Sequence, residues 1–429
     1  MAPTEYVQAR ASKEREKITL AEKQSYCSII DGQPYFPFLS ADQTSLESIR
    51  QVTVKVLLES RTKDVVVVDD LIMQNLKVAP VSGGNTNALF RISNLRSIWE
   101  SIAAEQANSI STNDTSSEHP DAVLMRIFGA EGIIDRDVET STYAALSQQS
   151  LSTRYFGRFA NGRLEGWLAG MRCLKDEELT KPEISHEIAR HMAQLHACFI
   201  VPVELRVYHN PEEPGLWNQI HSWLEQTLQA VASDDFVDRN DSQRLKQDFS
   251  FRKLTKIPAE LSWLEHEIVP HDASVAFCHT DVLASNVMIV EHSNDSASAI
   301  QLQLIDFEYG GINYRAFDIA NHFNEFAGGT DDGVPNYDKL PSDKAQKSFL
   351  GAYMRAYNEY SQNTAPTAEI SDGDLETFHS QVKAFILVNH LFWGLWGINQ
   401  AAKEGCHEFD YLMYGSLRIQ QYYKCKAGI

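Results

Sequence analysis

Residues Phe277 to Gly328 read FCHTDVLASNVMIVEHSNDSASAIQLQLIDFEYGGINYRAFDIANHFNEFAG. The stretch opens on polar His279-Thr280-Asp281, and Asn286 follows just before the apolar run Val287-Met288-Ile289-Val290. A polar segment, Glu291 to Ala299, leads to the alternating Leu302, Leu304 and Ile305, which end in Asp306-Phe307-Glu308. Short apolar runs bounded by polar turns predict the two strands of a hairpin. An Asp and an Asn therefore lie on a loop before the hairpin, and a second Asp lies at the end of its last strand.

The residue types limit the chemistry. A substrate hydroxyl attacking the γ-phosphate of ATP needs a carboxylate to orient it and accept its proton, which suits Asp281. Mg²⁺ takes oxygen ligands, which suits Asn286 and Asp306. Either Asp taken alone is better read as a loop acid or turn former. The ordered set of His279, Asp281, Asn286, strand and Asp306 points instead to a phosphotransferase of the protein-kinase-like fold.

The segments FCHTDVLASN, LIDFEYGGINYRAFDIANHFNEFAG and the later HLFWGLWGI resemble the choline/ethanolamine kinase family. Thr280 stands where that family usually has Asn, and Ser285 where Gly, Cys or Lys is common; a hydroxyl at 280 cannot bond as an amide does. The resemblance implies an α+β, protein-kinase-like fold of two lobes with ATP between them. Residues 1–40 are then an N-terminal extension, open to disorder, 41–166 a small β-rich lobe, and 167–429 a larger helical lobe carrying the catalytic and alcohol-binding site.

Composition agrees with that outline. A chain of 429 residues is long for a single core. Its net charge of −20 argues against a nucleic-acid or anionic-membrane surface, which would reward clustered Lys and Arg. Apolar runs such as Ala384 to Val388 are too short to span a bilayer, and the first residues lack the apolar segment of a secretory signal. Cys27, Cys173, Cys198, Cys278, Cys406 and Cys425 form no CxxC pair, so reduced thiols in a cytoplasmic enzyme are expected rather than zinc or disulfides.

Earlier in the chain, the aromatic island Tyr35-Phe36-Pro37-Phe38 has no assigned place, and Leu46, Ile49, Val52, Val56 and Leu57 recur at helical spacing. Strands are expected at Val65–Val68, Leu76–Val81, Ala88–Ile92 and Val123–Ile127, with a surface insertion at Asn108–His119. Ser82-Gly83-Gly84-Asn85-Thr86-Asn87 links two of them. It reads as a glycine hairpin turn or, with amides free to approach phosphates, as a phosphate loop. The family's SGG-x-TN loop favours the second.

Arg126 sits in the apolar VLMRIFG, where a buried cation needs partners. ATP phosphates and Glu139, on a helix expected from Asp135 to Leu146, are the candidates, with Asp137 and Asp135 behind them. Strands Arg154–Phe159 and Arg163–Leu168 meet at the turn Asn161-Gly162. Leu164-Glu165-Gly166-Trp167-Leu168-Ala169-Gly170 falls where the family places the hinge that meets adenine, and Trp167 lines that pocket or packs in the core. Ser185 is the expected N-cap of a helix to Phe199, whose His186, His191 and His196 cannot share one face and so hold no metal. Pro258 is expected to interrupt a helical region between Asp241 and Glu267.

Asn389, Trp393, Trp396 and Gln400 fall on one helical face. Such a stripe is ordinarily core. The family resemblance implies that the two tryptophans wall an alcohol pocket together with Tyr309, Glu325 and Tyr414. NEFAGGT from Asn324 and the Phe409-Asp410-Tyr411-Leu412 stretch look like the ethanolamine kinases, because Ala327, Gly328 and Gly329 leave one wall without an aromatic. The expected reaction is Mg²⁺-dependent phosphorylation of ethanolamine by ATP, with choline as the alternative alcohol. A kinase-like scaffold without activity would have lost Asp281, Asn286 or Asp306, and aminoglycoside or protein substrates fit the pocket motifs less well. Whether the protein is a monomer or homodimer is open.

Overall fold

Alternation decides the first part of the molecule. In strand β5 (Ala122–Phe128) Val123, Met125 and Ile127 face the apolar core, while Arg126 lies on the opposite side. The computed structural model describes residues 28–30, 33–59, 70–82, 87–96, 99, 120–129, 135–239, 253–290, 300–329, 332–362, 370–406 and 409–428. The expected strand at Val65–Val68, the insertion at Asn108–His119 and Gly83 to Thr86 lie outside these. Two compact units divide the chain after Met171.

The first unit is built on a sheet ordered β1 (Ser28–Ile30), β2 (Gln33–Phe36), β6 (Tyr155–Phe159), β7 (Gly162–Gly166), β5, β4 (Asn87–Ser93), β3 (Lys77–Val81). One face packs with helix α1 (Leu46–Val54) into a core of Ile49, Val52, Ile92, Val123, Met125, Phe159 and Leu164. The short helix α2 (Asp70–Asn75) precedes β3. Helix α3 (Arg136–Gln148) starts on Asp135, whose carboxylate caps the amides of Asp137 and Val138.

The aromatic island is corrected here from an unplaced extension to part of the sheet. Tyr35 and Phe36 pair in parallel with Arg158 and Phe159, and Phe36 is buried. Pairing across so long a separation leaves no mark in local periodicity.

In the second unit, β8 (Met171–Cys173), β10 (Val287–Val290) and β11 (Leu302–Leu304) form one small sheet; β9 (Val275–Cys278) and β12 (Gly311–Tyr314) form another. The helices are α4 (Pro182–Cys198), α5 (Leu216–Val231), α6 (Asp234–Arg239), α7 (Ile257–Trp263), α8 (Arg315–Glu325), α9 (Asp343–Gln362), α10 (Asp372–Glu404) and α11 (Tyr411–Lys426). One proline reading changes: helix α4 begins at Pro182, not at a Ser185 cap. Pro258 lies in the first turn of α7, which follows a 3-10 turn at Leu254–Lys256, and residues 240–252 lie outside the described residues. A proline at the first helical positions loses no hydrogen bond, because those amides have no intrahelical acceptor.

Helix α10 is buried on nearly every side between Val382 and Ala401. Its approach to α11 is set by glycine: a Cβ on Gly397 would lie 2.8 Å from Tyr411 O, and one on Gly415 would lie 2.7 Å from Gly394 O. That contact carries Tyr414 and Arg418 of α11 against the Asn389–Trp396 face of α10. Among the described residues no helix is long and apolar enough to cross a membrane.

Candidate active site

Strand register brings the expected ligands together. Val287 pairs with Leu304, so Asn286 and Ile305 emerge side by side, and Ile305 N donates to Asn286 O at 3.0 Å. Asp306 follows with φ of 65°, a conformation an Asp tolerates and which ends the strand abruptly. The loop that carries Asp281 leaves β9 beside this end. His279 Nε2 donates to Ile305 O at 2.8 Å, and Thr280 Oγ1 to Tyr309 O at 2.6 Å. The hydroxyl of Thr280 thus supplies a loop bond of its own, while its φ of 61° is strained for a β-branched residue.

Asn286 Nδ2 donates to Asp281 twice, to the main-chain O at 2.9 Å and to Oδ2 at 3.0 Å. The amide is thereby oriented, and no donor among the described residues bonds its Oδ1. Burial pushes the Asp281 carboxyl well above the usual range, and the nearby carboxylates of Glu325, Asp306 and Glu308 push it further. A free amide oxygen beside such a concentration of negative charge fits a hard divalent cation. Glu308, to which the sequence reading gave no role, belongs to that charge cluster.

Helix α8 holds the loop from below, a feature the sequence reading missed. Asp318 accepts from His279 N at 3.0 Å and Thr280 N at 2.7 Å, and His196 Nε2 donates to it at 2.8 Å. Four residues on, His322 Nδ1 donates to Val282 O at 2.8 Å. Both sides of Asp281 are therefore tied to one helical face, and the Asp-x-x-x-His spacing was the available signal. His196, Cys278 and Asp318 have ligand atoms within 4.8 Å of one another. They fit a metal poorly: the Asp318 oxygens are already hydrogen-bonded, and burial keeps the Cys278 thiol protonated. His186 instead meets Ser348, and His191 meets Glu187.

The aromatic residues form a continuous edge-to-face group. Tyr309 and Trp393 lie 5.4 Å apart, Trp393 and Trp396 5.3 Å, and Trp396 and Tyr414 6.0 Å. Trp396 Nε1 donates to Tyr309 Oη at 3.2 Å, and Trp393 Nε1 to Asn321 Oδ1 at 2.6 Å. Glu325, buried on α8, lies 3.7 Å from Arg418 Nη1. Burial pushes the Glu325 carboxyl up, Arg418 opposes this, and Asp176 reinforces it.

In the first unit, the face of the sheet opposite the core carries a buried charge cluster. Arg126 Nε donates to Glu165 Oε1 at 2.9 Å; Arg163, its cross-strand partner, donates to Glu165 Oε1 and to Glu139 Oε1, each at 2.7 Å. Arg136 takes the other Glu139 oxygen at 2.9 Å. The expected coupling of Arg126 to Glu139 is electrostatic, since Arg126 helps lower the Glu139 carboxyl, while the direct ion pairs of Glu139 are with Arg163 and Arg136. Arg163 is fully buried, and sequence reasoning assigned it no role. Asn87 is the first residue of β4, buried, with Oδ1 3.4 Å from Gly129 N. Ser82 is exposed, and Trp167 is half-buried with the Arg91 guanidinium 4.9 Å from its ring.

A family model described as choline/ethanolamine kinase matches residues 78–423. Ethanolamine kinase 1 of Mus musculus is 32% identical over 313 residues, spanning 72% of this chain and 78% of that protein. A probable ethanolamine kinase of Arabidopsis thaliana is 32% identical over 351 residues, 81% of this chain and 79% of its own length. The solved structure of an ethanolamine kinase from Plasmodium vivax superposes with a TM-score of 0.64 at 20% identity, covering 85% of this chain and 86% of that one. That likeness shows the fold, which is the α+β, protein-kinase-like one expected.

Proposed function

Because the chain belongs to the choline/ethanolamine kinase family, we propose that it transfers the γ-phosphoryl group of ATP to the hydroxyl of ethanolamine. The observation that carries this is the tethered Asp281, held between Asn286 and the α8 anchors and electrostatically coupled to Glu325. Asp281 orients the alcohol hydroxyl and accepts its proton as the O–P bond forms. Asn286 Oδ1 and the Asp306 carboxylate would hold Mg²⁺, whose chemistry is to neutralise charge on the transferring phosphates. On the nucleotide side, Ser82 to Asn87 would offer amides to phosphates and Arg126 its guanidinium. Glu139 and Glu165 balance the buried cations, and Trp167 would face the adenine.

The ammonium end meets Glu325 and the faces of Tyr309, Trp393, Trp396 and Tyr414. A primary ammonium has three N–H donors that need acceptors. Glu325 supplies a carboxylate, and Asn324 Oδ1 is buried with no donor among the described residues. Choline, with no N–H, asks for aromatic faces, and the aromatic group favours it as the second reading.

An ADP-release assay over a panel of amino alcohols at saturating MgATP tests the assignment. Ethanolamine should give the highest kcat/KM, and a clear choline advantage would reverse the preference. Asp281→Ala should lose roughly 10²–10⁴-fold in turnover, and a variant keeping more than about a tenth would remove Asp281 from its role.

A further inference from the structure

Arg418 of α11 is a guanidinium almost without water (1% exposed) and short of acceptors. Nη2 donates to Asn389 Oδ1 and lies 3.4 Å from Asn389 O; Nη1 is 3.7 Å from Glu325 Oε1; Nε is buried with no acceptor among the described residues. Five N–H donors are thus poorly met, and a buried cation in that position is sustained by an opposite charge. Of the groups that feel it, Tyr337, Tyr414, His390 and Cys425 are neutral when buried, and Glu325 is a carboxylate.

From Asn389 the chain of bonds continues. Asn389 Oδ1 also accepts from Asn324 Nδ2 at 2.7 Å, and Asn389 Nδ2 donates to Asn321 Oδ1 at 2.7 Å. Asn321 Oδ1 in turn accepts from Trp393 Nε1 at 2.6 Å. Two side chains therefore connect Arg418 to the indole edge, and an ion pair connects it to Glu325.

We propose that Arg418 is a positioning residue for the alcohol: it fixes the Glu325 carboxylate that meets the ammonium and, through Asn389 and Asn321, the Trp393 wall. This rests on Glu325 and Trp393 binding the alcohol, as proposed above. Glu325 faces Arg418 from α11, Asp176 from the segment after β8, Asp281 from the catalytic loop, and the Tyr337 and Tyr414 phenols. With Arg418 gone, the charges near Glu325 among the described residues are carboxylates, which together with burial push its carboxyl further toward the protonated form that pairs poorly with an ammonium.

The test uses the full chain with saturating MgATP and ethanolamine at pH 6.5 and 8.5. Arg418→Met should raise KM for ethanolamine by about tenfold or more at the lower pH and less at the higher, with kcat within about threefold and KM for MgATP unchanged. Arg418→Lys should recover most of the loss, because the charge returns. Glu325→Gln with Arg418→Met should raise KM by less than the product of the two single effects, because part of what Arg418 does passes through Glu325. Arg418→Gln carries the same test if Arg418→Met does not fold. Unchanged KM in a folded variant, a fall in kcat alone, or multiplying effects in the double variant would overturn the proposal. A wild-type protein inactive on every amino alcohol would instead overturn the substrate reading on which it rests.

Discussion

Replacing Asp318 by Asn keeps the volume of the side chain and removes one of its two acceptor oxygens. Asp318 is fully buried and satisfies two consecutive main-chain amides, His279 N and Thr280 N, besides His196. In the Asp318→Asn variant one of those amides must face an NH₂ group. A charge-assisted hydrogen bond contributes about 1.5–3 kcal/mol, and a stranded buried donor costs roughly 1–3 kcal/mol more, so the loop loses on the order of 3–5 kcal/mol of support. The amides immediately precede Asp281, so much of that loss becomes displacement of the reacting carboxylate. At about 1.36 kcal/mol per decade, kcat should fall roughly 10²–10³-fold. Steady-state kcat beside thermal unfolding is the assay. A lowered Tm with kcat within about threefold would show that Asp318 supports the fold and not the loop, refuting the reasoning. The acid limb checks the sign. Burial would raise the Asp318 carboxyl, but His196, His279 and the main-chain amides outweigh it and hold the carboxyl low. Its stability contribution is present above the ordinary carboxylate value of about 3.9 and lost as pH falls through the depressed folded value.

Thr280→Asn should retain at least about half of kcat/KM, because Asn accepts the positive φ better than a β-branched residue and offers its own loop bonds; a drop beyond about tenfold would make the Oγ1 bond to Tyr309 O indispensable. Arg163→Met should destabilise the first unit by about 3–5 kcal/mol, seen as a lowered thermal midpoint and partly recovered by adding Glu139→Gln, whereas a neutral result would mean the Arg163 pairs contribute nothing net. In the wild type, burial opposes ionisation of Glu139, but Arg163, Arg126 and Arg136 hold it at about 2 against an ordinary 4.5. That contributes roughly 3 kcal/mol, present above pH 4.5 and lost as pH falls toward 2. Acid titration should show Arg163→Met losing structure at a higher pH than wild type.

The candidate site residues were legible because they are placed by short-range geometry. His279, Asp281, Asn286 and Asp306 lie on one loop and one hairpin, and strand pairing over so few residues follows from alternation and a polar turn. The aromatic stripe of α10 was legible for the same reason, as a helical period. What supports those groups was not. Asp318 reaches His279 across 39 residues, Asn389 reaches Arg418 across 29, and His196 reaches Asp318 across 122. In each case the sequence by itself showed a polar residue in an apolar context and not its partner. Arg126 and Glu139 illustrate the limit: Arg126 was read as a buried cation that needs partners, and Glu139 as one candidate for that role. Only the order of β5 beside β7 put Arg163 opposite Arg126 and delivered Glu139 to it. A buried charge must be paired, which sequence can state; which charge it meets depends on sheet order and helix packing, which only the folded chain decides.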